Sequence, residues 1–225
     1  MIIVQYLENI YPDLSESQVR AKLRAALDVI PIERLLVGWN LPTEYIQACV
    51  DECQRAGIEL YLWQPLLTGD RVFHPRPEWY TVNMDGNPLS GFHGLSEFTF
   101  MCPNHPMVQT AIVSHLTHEL DTQPYQGIFL DRIRFPSPTT HPVRDLGCFC
   151  PHCADAARQH GLDLEIVRDA IRRLSHTPDL FIHVLLDPSD TISVNPDCEV
   201  VASFLSFRAH SITRFVGQIA DLCHA

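Results

Sequence analysis

The sequence predicts an α/β fold built on a parallel sheet. Short apolar segments of strand length alternate with segments in which apolar residues recur every three or four positions, as in strand–helix–strand units. The apolar segments contain few polar residues, which is typical of strands covered on both faces. Polar or aromatic residues follow these segments directly, and α/β proteins place ligand-binding residues at the carboxyl ends of their strands.

The first strand–helix unit and the second strand lie at the start of the chain. Residues 2–6 form an apolar strand segment, and Ser15 with Gln18 has the spacing of a capping box that begins a helix. Residues 35–37 form the second strand segment. Gly57 follows the second helical segment, and glycine commonly ends helices.

A third strand and a long connection come next. Residues 58–63 form an apolar strand segment, and residues 65–105 are rich in proline, glycine, histidine and aromatic residues. This connection is too long for a simple turn, and long loops on a barrel commonly shape a binding surface. Pro106 then suits the first turn of a helix.

The segment around which the chain is organised combines a fourth strand, a charged strand end and a second long loop. Gly127 begins an apolar run that ends at Asp131, and we expect this strand to be buried on both faces. The loop covers residues 132–153. Helical periodicity then predicts four helices, around residues 154–160, 164–174, 180–185 and 201–219. A strand is the alternative for the third of these.

Four strands with their helices predict the amino-terminal portion of a (β/α) TIM-type barrel. A complete barrel has eight such units in ~250 residues, so we expect residues 1–225 to be one incomplete barrel domain. The alternative is an open doubly wound sheet, but no Gly-x-Gly-x-x-Gly follows the first strand to indicate a nucleotide fold. A half barrel exposes strand edges, and we therefore also expect self-association.

Composition and charge argue against several functional classes. Apolar residues at 46% and charged residues at 19% describe an ordinary globular protein. A net charge of −11 argues against nucleic acid and anionic membranes as partners. The start of the chain lacks the features of a signal peptide, and no run approaches the ~18 apolar residues of a membrane span. We expect a cytoplasmic protein with reduced cysteines.

Four of the eight cysteines have the spacing of a metal site. Cys148, Cys150 and Cys153 offer three thiols in a short segment, and Cys102 is the expected fourth ligand. Four thiolates at ~2.3 Å form a closed tetrahedral zinc site, which leaves no position for water and is therefore structural. The alternatives are free thiols, a histidine in place of one cysteine, and an iron–sulphur cluster, whose usual spacings are not matched.

Asp131 is the candidate catalytic residue because it ends the fourth strand. A carboxyl group in that position suits a general acid. The alternative is an ion pair with Arg132 or Arg134 that only fixes the loop. Arg134 is also a candidate substrate-binding residue, since its guanidinium offers donors in a fixed direction.

Three further residues at or near predicted strand ends are candidates for substrate binding. Trp39 and Trp63 offer flat faces on which a sugar ring can stack, and Glu8 offers a carboxylate on the same expected side of the sheet. The alternative for both tryptophans is packing in the core or at the rim. The alternative for Glu8 is a solvated or structural carboxylate.

Two sequence patterns resemble those of known glycosidases. The pattern Cys102-Pro103-Asn104-x-Pro106 followed by Cys148-x-Cys150-x-x-Cys153 resembles the zinc-binding pattern of the family 42 β-galactosidases. The segment GIFLDRIRFPS resembles the fourth-strand region of uncharacterised glycosidase-like barrel proteins, which have a similar Asp-x-x-Arg-x-Pro. The likeness covers roughly residues 98 to 155.

The resemblance implies a (β/α)8 barrel with a structural zinc ion at its rim and hydrolysis of a carbohydrate substrate by two carboxylic acids. Family 42 enzymes have an Asn-Glu pair at the end of the fourth strand, where this chain has Asp131-Arg132. The resemblance places the second carboxylate on a later strand. We therefore expect a glycoside hydrolase-like protein. The alternatives are a non-catalytic carbohydrate-binding or scaffold barrel, and a zinc or thiol redox protein.

Overall fold

A computed structural model describes residues 1–6, 14–68, 75–89, 91, 94–95, 98–138, 141–188 and 195–224. The chain forms two compact units. The first contains Met1–Leu66, Val113–Arg132 and Leu222–Ala225, and the second contains Leu67–Ile112 and Ile133–Asp221. Within the described ranges, no helix has both the length and the apolar character that a membrane crossing requires.

The first unit is built on a four-stranded parallel sheet in the order β1-β2-β3-β4. Its strands are β1 (Ile3–Tyr6), β2 (Arg34–Gly38), β3 (Glu59–Pro65) and β4 (Gly127–Asp131). Tyr6 lies opposite Val37, Val37 opposite Leu62, and Trp63 opposite Phe129. The prediction of an α/β fold with a parallel sheet is confirmed for these four strands.

In the first unit, one helix begins and another ends where the sequence predicts. Helix α1 (Glu16–Val29) begins with the predicted capping box, in which the Gln18 N–H donates to Ser15 Oγ and the Ser15 N–H donates to Gln18 Oε1. Helix α2 (Thr43–Ala56) ends at Gly57, whose φ of 69° is left-handed. The core of the unit contains residues of α1, α2 and the first three strands, including Val19, Leu23, Leu35, Val37, Ala48, Cys49, Cys53 and Leu60.

Strand β4 is more exposed than the sequence predicts. Phe129 is 45% exposed, and none of the five residues of β4 is fully buried. Among the strands that the structure describes, β4 lies at the edge of the sheet and pairs only with β3. An edge strand has a neighbour on one side alone, so its side chains are less covered. The prediction of a strand buried on both faces is therefore wrong.

The second unit is mainly helical. Helix α3 (Pro106–Thr122) begins in it, and the helices that follow β4 are α4 (Pro142–Asp145), α5 (Pro151–Gln159), α6 (Leu164–Leu174), α7 (Pro178–Leu186) and α8 (Pro196–His224). Helix α5 begins three residues earlier than predicted, because Pro151 suits its first position. The segment around residue 180 is a helix, and not the alternative strand. The core combines the side chains of these helices with four clustered cysteines.

Candidate functional site

The four predicted metal ligands come together in the second unit. Cys102, Cys148, Cys150 and Cys153 are buried, and their sulfur atoms all lie within 4.8 Å of one another. Cys102 Sγ lies 3.4 Å from Cys153 Sγ and 3.5 Å from Cys150 Sγ. Zinc bound tetrahedrally at ~2.3 Å from each sulfur separates the sulfurs by about 3.8 Å. The cluster therefore fits one tetrahedral ion after small adjustments.

Local structure positions the three cysteines of the loop after β4. Cys150 is the N-cap of α5, and Pro151 occupies the first turn, where its missing N–H costs nothing. The Cys153 N–H donates to Cys150 Sγ at 3.4 Å, and the Val82 N–H donates to Cys148 Sγ at 3.4 Å. The first of these hydrogen bonds caps the start of α5, and the two together orient the thiols of Cys150 and Cys148.

Backbone hydrogen bonds fix the chain on both sides of Cys102. The Met101 N–H donates to the Leu67 carbonyl oxygen, and the Cys102 N–H donates to the Trp79 carbonyl oxygen, each at 2.7 Å. The His105 N–H closes a turn onto the Cys102 carbonyl oxygen at 3.1 Å. This turn directly precedes α3, so the fourth thiol comes from a fixed segment and not from a free loop end.

Electrostatics favour a bound cation at the cluster. Burial raises the pKa of the Cys102 thiol, and the neighbouring cysteines raise this pKa further. Hydrogen bonds from Cys102 and its neighbours lower the pKa of Cys150. Several thiolates in one buried volume repel one another, and a divalent cation offsets that repulsion. Among the described residues, the cluster of potential ligands contains the four cysteines and no histidine.

The candidate catalytic residue lies in the first unit, at the end of β4. Asp131 is in register with Pro65, and its side chain is 32% exposed. Its Oδ1 accepts a hydrogen bond of 2.7 Å from the Arg132 N–H. Arg132 has a φ of 50°, a left-handed conformation that is strained for a residue with a side chain and is common at functional sites.

The ion pair with Arg132, one of the two alternatives for Asp131, is weak in this geometry. Arg132 Nε lies 3.9 Å from Asp131 Oδ2, and both side chains are partly exposed. A pair at that distance in contact with water contributes little to stability. The Asp131 carboxylate therefore remains accessible for another partner.

Two predicted substrate-binding residues meet at the carboxyl ends of β2 and β3. The rings of Trp39 and Trp63 are edge to face, with centroids 5.5 Å apart, and the ring of Phe129 lies 6.5 Å from Trp63. Both tryptophans are partly exposed. These three rings form an aromatic cluster on the first unit, and flat rings of this kind suit the apolar face of a ligand.

Unpaired polar atoms accompany this aromatic cluster. Trp39 Nε1, Trp63 Nε1 and Asn40 Oδ1 are buried and have no hydrogen-bond partner in the part of the chain that the structure describes. Buried polar groups are almost always hydrogen-bonded, and exceptions commonly mark a ligand or an ordered water. The strand ends thus combine apolar faces with two unused donors and one unused acceptor, which suits a polyhydroxylated ligand.

The other predicted site residues are placed differently. Arg134 belongs to the second unit, where its guanidinium carbon lies 4.6 Å from the centroid of the Phe100 ring. Glu8 lies outside the described residues. The structure therefore brings together the four cysteines in one unit and the two tryptophans in the other.

Sequence reasoning missed one partly buried polar pair in the first unit. Gln64 Oε1 lies 3.0 Å from His115 Nε2, and Gln64 Nε2 donates to the Pro65 carbonyl oxygen at 2.8 Å. Burial lowers the pKa of His115. A glutamine at the end of an apolar strand is a weak signal, and nothing local links it to a histidine 51 residues later.

The comparisons with known proteins bear on the fold. No family model and no curated protein matches the chain. The structure is similar to part of α-L-fucosidase isoenzyme 2 from Paenibacillus thiaminolyticus, with a TM-score of 0.50 and 15% identity, covering 72% of this chain and 26% of that one. The chain thus corresponds to about a quarter of the fucosidase, and at this identity the likeness shows a shared fold alone.

Two other solved structures match at lower scores. A hypothetical protein from Ruminiclostridium thermocellum has a TM-score of 0.46 and 13% identity, covering 61% of this chain and 78% of that one. The α-N-acetylgalactosaminidase NagBb from Bifidobacterium bifidum has a TM-score of 0.43 and 14% identity, covering 67% of this chain and 28% of that one.

Proposed function

We propose that the chain is a glycoside hydrolase-like barrel protein that acts on a carbohydrate and holds a structural zinc ion. The observation that carries the proposal is the aromatic cluster of Trp39, Trp63 and Phe129, with its unpaired indole N–H groups at the strand ends. A sugar presents an apolar ring face together with hydroxyl groups, and both have counterparts here. The fold shared with part of a protein named as an α-L-fucosidase supports the same class.

Asp131 is the proposed general acid. It would donate its proton to the oxygen of the leaving group, and the partly exposed rings of the two tryptophans would stack against the sugar. Their N–H groups are buried in this structure, so they would reach the sugar hydroxyls only after the rings move. Hydrolysis also needs a second carboxylate, ~5 to 5.5 Å from Asp131 for retention or ~6.5 to 9.5 Å for inversion. The proposed zinc ion takes no part in these steps, because four thiolates leave no open position.

A second candidate is carbohydrate binding without hydrolysis. It is favoured by one observation: among the described residues directly after β2, β3 and β4, no carboxylate lies beside the strand ends apart from Asp131 itself. A site with a single carboxylate could still hold a sugar. It would lack the nucleophile or base that the mechanism requires.

One set of variants separates the two functions. We expect the wild-type protein to bind at least one sugar of a panel of oligosaccharides and to hydrolyse the corresponding aryl glycoside. Asp131→Asn should lower hydrolysis by about 10² or more while affinity changes little. Asp28→Asn, which alters an exposed carboxylate of α1, is the matched control and should leave both unchanged. Binding without hydrolysis in the wild type would favour the second candidate.

The tryptophans test the ligand site itself. Trp63→Ala should weaken sugar binding about tenfold, since 1.4 kcal/mol of lost contact is a factor of ten. Trp39→Phe keeps an aromatic face and removes the unpaired N–H, so it should weaken binding only if that donor contacts the sugar. Isothermal titration calorimetry measures both affinities. Wild-type affinity in both variants would show that the aromatic cluster is not part of the sugar-binding site.

A further inference from the structure

The side chain of Asn104 connects the cysteine cluster to the last helix of the second unit. Its Nδ2 lies 3.4 Å from Cys153 Sγ and 3.0 Å from Ser211 Oγ, and its Oδ1 accepts a hydrogen bond of 3.1 Å from Arg214 Nη2. Asn104 is 7% exposed and Ser211 is 2% exposed. Both hydrogens of the amide and its oxygen therefore have partners.

These partners define a single orientation of the amide. The reverse orientation would turn the Asn104 carbonyl oxygen towards the Cys153 sulfur and its NH₂ group towards the Arg214 guanidinium. Both contacts would then be repulsive, because a thiolate only accepts hydrogen bonds and a guanidinium only donates them. Arg214 and Ser211 thus fix the N–H of Asn104 against the sulfur.

We propose that Asn104 is a positioning residue of the metal centre, with Arg214 and Ser211 of α8 setting its orientation. This inference rests on the metal centre of the proposed function. Four thiolates around a divalent cation carry an excess of negative charge, and N–H donors to sulfur reduce it. Cys148 and Cys150 receive such donors from the backbone, whereas Cys153 receives one from Asn104.

Groups that orient metal ligands affect metal affinity strongly, with typical losses of 10- to 100-fold when they are removed. We expect Asn104→Ala to weaken zinc binding by about that factor. Arg214 is exposed and hydrogen-bonds to Asn104 Oδ1, so Arg214→Met should weaken zinc binding by less, about two- to tenfold. Ser211→Ala removes one acceptor from Asn104 and should have a similarly small effect.

The experiment is competition for Zn²⁺ between the purified full chain and a chromophoric chelator of known affinity. Arg158→Met is the matched control, because Arg158 is an exposed arginine of α5 that pairs with Asp155 and, among the described residues, forms no side-chain hydrogen bond or ion pair with the four cysteines. Its zinc affinity should equal that of the wild type. The visible spectrum of bound Co²⁺ should remain that of a tetrahedral thiolate site in every variant, since all four ligands are retained.

Unchanged zinc affinity in Asn104→Ala would overturn the proposal. If that variant does not fold, wild-type affinity in both Arg214→Met and Ser211→Ala would overturn it equally. A wild-type chain that binds no zinc would instead overturn the metal centre, and this inference with it. The failure of the positioning role and the failure of the metal centre are therefore distinct results.

Discussion

Glu52 of α2 is a buried carboxylate that joins α2 to α1. Its side chain is 2% exposed and accepts hydrogen bonds from Arg24 Nη2 at 2.8 Å, Arg24 Nε at 2.9 Å and Arg55 Nε at 2.8 Å. Arg20 Nη1 lies 3.6 Å from Glu52 Oε1. We expect Glu52→Gln to destabilise the first unit, because the substitution removes the charge and leaves three arginines beside a neutral amide.

The loss of stability expected in Glu52→Gln follows from the pKa of Glu52. The Arg24 hydrogen bonds and, less strongly, Arg55 lower this pKa from 4.5 to about 2. At ~1.36 kcal/mol per pH unit the difference corresponds to about 3 kcal/mol. Arg24 and Arg55 are 54% and 52% exposed, so solvent screens the attraction and we expect a loss of about 1–2 kcal/mol at pH 7.

The stabilisation that Glu52 contributes should decrease as the pH falls. The pKa of Glu52 is lower in the folded chain than in the unfolded chain, so its stabilisation is fully present above pH 4.5 and is lost as the pH falls towards 2. Urea denaturation followed by circular dichroism should therefore show that wild type and Glu52→Gln differ in free energy of unfolding at pH 3 by less than half as much as at pH 7. The same variant is measured at both pH values.

Glu16→Gln is the matched control for this prediction. Glu16 pairs with Arg20 on the surface of α1 and is 49% exposed, and exposed pairs contribute about 0.5 kcal/mol or less. Glu52→Gln with wild-type stability at pH 7 would refute the reasoning. An equal destabilisation at pH 7 and pH 3 would also refute it, since the effect would then not depend on ionisation.

Two further predictions concern β4. A Cβ on Gly127 would clash with the Tyr61 ring, so Gly127→Ala should lower the free energy of unfolding by about 1–3 kcal/mol. A Cβ on Gly217 of α8 would have no atom within 4 Å, so Gly217→Ala should raise the free energy of unfolding by ~0.5–1 kcal/mol. Equal effects in urea denaturation would contradict this account of Gly127. Phe129→Lys should shift sedimentation from dimer towards monomer if the exposed β4 edge mediates self-association. A monomeric wild-type chain would contradict that expectation.

The parts of the fold that the sequence predicted well depend on local signals. Ser15 and Gln18 lie within one turn, and Gly57 ends α2 through its own backbone conformation, so neighbouring residues suffice to recognise both. The spacing of Cys148, Cys150 and Cys153 is equally local. The sequence also predicts Cys102 as the fourth ligand, and the structure confirms that the four thiols meet.

The features that the sequence did not predict depend on distant partners. The apolar composition of β4 does not distinguish a central strand from an edge strand. The exposure of Phe129 follows only from which strands pair. Asn104 receives its partners Ser211 and Arg214 from more than a hundred residues later in the chain. No spacing rule links such residues, so the role of Asn104 is visible only in the folded structure.

Zinc content tests the metal centre most directly. Elemental analysis of the purified chain should find one zinc ion per chain in the wild type and in Cys223→Ser, which alters an exposed cysteine outside the cluster. Cys150→Ser should contain clearly less than one zinc ion per chain, because it removes one of the four thiolates. A wild-type chain without zinc, or equal zinc in wild type and Cys150→Ser, would contradict the assignment of the four cysteines as its ligands.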